Sequence, residues 1–196
     1  MSIQAALRRA PHRFGFFAAL RHIECEHRDK PRIGRALRPA HEAVRLGQEP
    51  SLAFAPSALA SFTPGADGVP HRLAVHFFGL FGPNGPLPLH LTEWARDRKR
   101  NAGDPTLSGF ADLFHHRLRE LLYRAWARGQ PTVEFDRPEH DRFAHYIGSL
   151  IGLGSPALRA RDALPDRAKL HHAGRLAVKS RNGEGLRAIL ADYFRL

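Results

Sequence analysis

The stretch DPTLSGFADLFHHRLRELLYRAWAR, residues 104–128, carries the longest helical pattern in the chain. Leu107, Phe110, Ala111, Phe114, Leu118, Leu121, Leu122 and Ala125 recur at the spacing that places them along one face of an α-helix. Asp104 is suited to the N-cap, and Pro105 to the first helical position, where a missing N–H costs nothing extra. Just upstream, Thr92 to Arg100 predicts a shorter helix that stops at Asn101-Ala102-Gly103, with the glycine supplying a left-handed cap.

Working outward toward the N-terminus, Leu73 to Phe81 is a compact apolar run that predicts a buried strand leading into a turn. From Pro31 to Pro70, frequent Pro and Gly break the chain into short apolar runs, Ser51 to Phe54 and Leu59 to Phe62 among them. That pattern predicts irregular chain with short strands. Phe14 to His27, with Phe16, Phe17, Leu20 and Ile23 in helical register, predicts an amphipathic helix closed before Pro31. Toward the C-terminus, a helix is expected to open at Pro138, carry Phe143, Ile147, Leu150 and Ile151 on one side, and end at Gly152 and Gly154. Shorter helical pieces follow Pro156 and Pro165, and a last helix begins near Asn182 and Gly183. The fold class expected is α+β, mainly helical, with a few short strands in the first half. Residues 1–30 form an N-terminal helical segment, 31–90 an irregular region with short strands and 91–196 a helical region, together one structural unit.

Composition sets the class of protein. With 43% hydrophobic and 25% charged residues in 196, the chain has the makeup of an ordinary globular protein. A single cysteine, Cys25, excludes an internal disulfide framework and fits a reducing compartment, the cytoplasm by default. No segment has the apolar length of a membrane span. The formal net charge of +11 invites a nucleic-acid reading. However, Lys30, Lys99, Lys169 and Lys179 are the only lysines, and the arginines are scattered through every segment. Arginine's planar fork pairs equally well with carboxylates at a protein interface.

Several residue groups deserve a chemical reading. Asp112, His116 and Glu120, at i, i+4 and i+8 with His115 beside them, offer possible metal ligands but read more simply as a solvated ion-pair stripe on the polar side of the helix. His22, Cys25 and His27 match no zinc spacing. No nucleophile elbow, zinc-protease pair or dinucleotide fingerprint is present, so no enzyme activity, catalytic residue, metal or cofactor is expected. The glycine-rich turn from Gly79 to Pro88 is not a phosphate loop, because Pro83, Pro86 and Pro88 lack the N–H donors that such a loop uses. Phe81, Pro83, Asn84, Gly85 and Pro86 read as a rigid connector or as a partner-contacting loop. Arg96, Arg98, Lys99 and Arg100 form the densest basic run, readable as solvated surface, as a site for an acidic protein partner, or as a nucleic-acid contact. Trp94 is either an interface anchor or core, whereas Phe110, Phe114 and Trp126 are expected in the core.

The run FFGLFGPNGPLPLH from Phe77 to His90, followed by Thr92-Glu93, resembles the signature segment of the TssG (ImpH, VasB) family of bacterial type VI secretion. Arg45 to Gln48, Asn101 to Thr106, Phe114 to Arg117, Tyr123 to Trp126, Gly152 to Gly154 and Arg181 to Leu186 resemble the same family in the same order. The resemblance implies a structural baseplate subunit that joins TssF and TssK in a wedge, from which tube and contractile sheath grow. It also implies no small-molecule substrate or cofactor, and a cytoplasmic position in a baseplate docked at the inner-membrane complex. Family members continue into a second half, so the chain is expected to be a short form or N-terminal fragment. A basic nucleic-acid-binding module is the rival reading.

Overall fold

The structure, a computed structural model, describes residues 3–66 and 68–195. It comprises two compact units, Met1–Gly129 and Gln130–Leu196. The class is α+β, with helices dominating and the strands confined to the first half.

The first unit runs α1 (Ile3–Arg9), α2 (Phe16–Glu26), β1 (Val44–Gln48), β2 (Leu59–Thr63), β3 (His71–Val75), α3 (Leu89–Asn101) and α4 (Thr106–Arg128). Phe16, Ala19, Leu20 and Ile23 of α2 are buried, as their helical spacing predicts, and the helix stops at His27, short of Pro31. The strands form one sheet in the order β1-β3-β2, with β3 parallel to β1 and antiparallel to β2. As the central strand, β3 buries Leu73 and Val75 completely. The β2–β3 register shifts between Leu59 and Ser61.

Two strand expectations are corrected. The run Ser51 to Phe54 forms no strand: the Ala53 N–H turns onto Ser51 Oγ, and Phe54 is 95% exposed. A local hydroxyl has outcompeted a sheet ladder for the backbone there. The strand predicted through Phe81 ends at Val75, because Phe78 adopts a φ of 50° and swings the chain out of the sheet. The strand Val44–Gln48 lies within the region whose Pro and Gly spacing predicts irregular chain.

The helix boundaries follow their chemistry. Gly103, with φ at +65°, ends the turn after α3. Asp104 is not the N-cap of α4: Pro105 holds that position without a side-chain cap, and Asp104 Oδ1, one residue further out, accepts the Thr106 N–H at 2.9 Å.

The second unit contains α5 (Pro131–Phe135), α6 (Arg142–Leu150), α7 (Asp166–His171), α8 (Ala173–Ala177) and α9 (Gly183–Phe194). Asp141 caps α6 by accepting from the Ala144 N–H at 2.8 Å, and Asn182 caps α9 by accepting from the Gly185 N–H at 2.7 Å. Glu134 accepts the Arg142 N–H, and the Arg167 guanidinium stacks 3.9 Å from the Phe135 ring centre.

Candidate interaction face and the polar seam that positions it

The polar face of α4 points inward. Four residues of helix advance about 6.0 Å and two residues of strand about 6.6 Å, so side chains one turn apart on a helix can match alternate amides along a strand. Asp112 and His116 use that match. Asp112 Oδ1 accepts the Gln48 N–H at 2.8 Å, and His116 Nδ1 accepts the Leu46 N–H at 3.1 Å, so α4 supplies the acceptors for the outer amides of β1.

The seam continues in both directions from that pair. His115 Nε2 accepts the Leu80 N–H at 2.9 Å, and its Nδ1 lies 3.1 Å from Asp112 Oδ1. Gln48 clamps Phe81, taking its N–H at 3.0 Å on Oε1 and donating from Nε2 to its carbonyl at 2.8 Å. Glu120 Oε1 accepts from the Gly34 N–H at 3.1 Å, while Arg117 and Arg124 donate to the Gly34 carbonyl. Glu24 of α2 accepts from the Ile33 N–H and from the Tyr123 hydroxyl, and burial, reinforced by that carboxylate, pushes the Tyr123 phenol well above its ordinary value. Arg119 is fully buried and donates from Nη2 to the Phe77 carbonyl at 3.1 Å, while its Nε and Nη1 have no hydrogen-bond partner among the described residues. Burial pulls its guanidinium down to about 10, with nearby Asp112 opposing.

This arrangement overturns the reading of the helix. Asp112, His116 and Glu120 are not a solvated stripe: His116 and Glu120 are 4% exposed. Phe110 and Phe114, expected in the core, are 60% and 55% exposed, and Leu118 and Leu121 share their open face. The periodicity located an apolar face correctly but not its direction, because β1 needed acceptors more than α4 needed a dry contact. Trp126 is half-buried, stacked on Phe17 with ring centres 4.7 Å apart.

The turn after β3 borders that open face. Its Phe81 is buried with Ala95 and Ala111, holding the loop to α3 and α4. Thr92 Oγ1 accepts the Gly82 N–H at 3.0 Å, and Gly82 takes a φ of +102° that a side chain would oppose. Beyond this anchor Pro83, Asn84 and Pro86 are exposed, with Gly85 half-buried. Between the turn and α4 lies a groove of about 960 Å³, lined by Phe54, Phe78, Leu80, Pro83, Phe114 and Leu118 among others. Three segments that carry the family resemblance, Arg45 to Gln48, Phe77 to His90 and Phe114 to Arg117, meet along the seam and this groove.

On α3, Trp94 is 52% exposed, with the Arg98 guanidinium 5.9 Å from its ring centre. Arg98 also pairs with Asp104 at 2.7 Å, and Lys99 pairs with Glu49. Hydrogen bonds from Thr106, with Arg98 adding to them, hold the Asp104 carboxyl at about 2. Two of the four charges in the basic run are therefore matched by carboxylates, leaving Arg96 and Arg100 as exposed cations.

Glu42, His116 and Glu120 bring one ligand atom each within 4.8 Å of one another. The donor set does not suit a cation. His116 Nδ1 already receives an amide proton, which places the ring's own proton on Nε2, the atom facing both carboxylates at 3.0 and 3.4 Å. Arg45 and Arg117 occupy the same carboxylates. His27 of the second cluster turns instead to His71, Nε2 to Nε2 at 2.8 Å.

A buried seam thus fixes an exposed apolar face, a surface feature found in proteins that pack against others. The match to a family model settles which kind: the model described as type VI secretion, TssG, covers residues 10–196. The chain belongs to the TssG family, a structural baseplate family of the type VI secretion system. No curated protein and no solved structure matched it. Among the described residues, no helix is long and apolar enough to cross a membrane.

Proposed function

We propose that the chain is a wedge subunit that assembles with TssF and TssK, and that the open face of α4 with its adjoining groove is where it is held. The observation that carries this reading is the exposure of Phe110, Phe114, Leu118 and Leu121 on a helix fixed from behind by buried hydrogen bonds. Contiguous apolar surface on a rigid element is a docking feature, and rigidity lowers the entropy cost of association. Pro83, Asn84, Gly85 and Pro86 form the rim of this contact, with Trp94, Arg96 and Arg100 as a neighbouring aromatic and basic patch suited to acidic side chains. The assembly acts in the cytoplasm, docked at the inner-membrane complex. Binding of nucleic acid fits less well, because Arg98 and Lys99 of the basic run are already matched by Asp104 and Glu49.

The test is co-expression with TssF and TssK of the same bacterium, followed by size-exclusion chromatography and native mass spectrometry in moderately high salt, which removes loose charge pairing. A complex of fixed stoichiometry that Leu118→Glu abolishes supports the reading. A folded chain that elutes without either partner refutes it.

A further inference from the structure

A second group of metal-ligating side chains lies in the other unit and has the opposite character to the one beneath α4. His171 ends α7, His172 follows it, and Asp192 sits in the last turn of α9. His171 Nε2 is 2.9 Å from Asp192 Oδ2 and His172 Nε2 is 3.6 Å from the same oxygen, and the three ligand atoms lie within 4.8 Å of one another. In a tetrahedral zinc site, bonds of about 2.0–2.1 Å place neighbouring ligand atoms roughly 3.3 Å apart. The two observed separations bracket that spacing.

The protonation states also agree. The ring proton is forced onto the inward-facing nitrogen of His116, but neither His171 nor His172 receives a hydrogen bond at Nδ1 among the described residues. As it stands His171 donates from Nε2 to Asp192 Oδ2, but with no donor at Nδ1 of either ring the proton can shift there and leave an Nε2 lone pair for an ion. The two rings stand at 74° to each other with centres 4.8 Å apart, so both can aim at one point without stacking. Two neutral imidazoles and one carboxylate form a donor set suited to a borderline divalent ion, with a position left over for water or for a side chain from outside.

We propose that His171, His172 and Asp192 form a site for a divalent ion of the zinc class, which clips α9 to the α7–α8 corner. The clip would matter to α9, because Leu186, Leu190, Tyr193 and Phe194 are all exposed and contribute little packing of their own. This proposal is independent of the docking reading, and either can fail without the other.

The experiment uses the full chain purified through a tag without histidines and stripped with chelator. Equilibrium dialysis against zinc chloride, read by elemental analysis, is expected to show one zinc per chain. Cobalt substitution is expected to give the visible absorption of a low-symmetry, four- or five-coordinate ion, and hydrogen exchange across residues 183–194 is expected to slow on loading. Asp192→Asn and His171→Ala are each expected to lower the affinity at least tenfold with secondary structure unchanged. Glu42→Gln, which alters the other cluster, is expected to leave the stoichiometry at one. Substoichiometric zinc in the unaltered chain, or one zinc that survives both His171→Ala and Asp192→Asn, would overturn the site.

Discussion

His115 and His116 are neighbours on α4 and hold opposite tautomers. His115 accepts the Leu80 amide on Nε2 and so carries its proton on Nδ1, toward Asp112, whereas His116 accepts the Leu46 amide on Nδ1 and carries its proton on Nε2. The two rings tie two different segments, β1 and the turn after β3, to a single helix.

This difference predicts which replacement each position tolerates. A glutamine oxygen reaches about as far as Nε2 and an asparagine oxygen about as far as Nδ1. His115→Gln is therefore expected to be milder than His115→Asn, and His116→Asn milder than His116→Gln. The poorer choice leaves a buried amide without an acceptor, at a cost of about 1–3 kcal/mol. Urea unfolding of the four variants checks the crossed order, and equal losses within each pair would show that the rings act by packing alone.

Gly79 is expected to tolerate no side chain. A Cβ there would press on the Gln48 amide, which clamps Phe81, and on the Arg119 guanidinium. Neither neighbour is free to yield, so Gly79→Ala is predicted to cost about 1–3 kcal/mol by overpacking. Thermal unfolding measures this, and Gly109→Ala, where nothing lies within 4 Å, serves as the comparison.

The open face makes the opposite prediction. Because Leu118 and Leu121 are 47% and 44% exposed, Leu118→Glu and Leu121→Glu are expected to change stability by no more than about 0.5 kcal/mol while preventing the complex with TssF and TssK. Circular dichroism melts and the co-expression assay separate the two effects. Intact complex formation by both variants would move the docking surface elsewhere.

His71 gives the chain a sensitivity to mild acid. Its Nδ1 accepts the Gly65 N–H, its Nε2 faces His27, and burial, with His27 and Lys30 adding to it, lowers its pKa below the ordinary 6.5 against a small opposing pull from Glu26. As pH falls, the unfolded chain takes up this proton first. The stability contribution is therefore complete above 6.5 and declines below it until the folded-state value is passed. Urea midpoints are expected to fall from about pH 7.5 to about pH 5.5 and to fall less in His71→Gln.

Local chemistry was legible in the sequence wherever it decides structure alone. The glycine stop after α3, the asparagine start of α9, the apolar register of α2 and the strand at Leu59 were readable because each depends on residues a few positions apart. The strand Val44–Gln48 was not, since its alternation stops after Val44-Arg45-Leu46, Gly47 is a poor strand former, and its outer amides are satisfied by side chains 70 and 64 positions away. For the same reason periodicity marked the stripe on α4 but not the side on which solvent lies. Asp112 and His116, one turn apart, were the available signal, and they match a strand edge as well as they match an ion.

The outer amides of Leu46 and Gln48 are already taken, and this limits how the protein can associate. A strand edge with free amides invites any extended chain to add itself, including another copy of the same protein. On the β1 side that route is closed by two side chains rather than by a further strand. That edge is thereby closed to strand addition, and along it the protein is left to meet its neighbours through the shape of its side-chain surfaces.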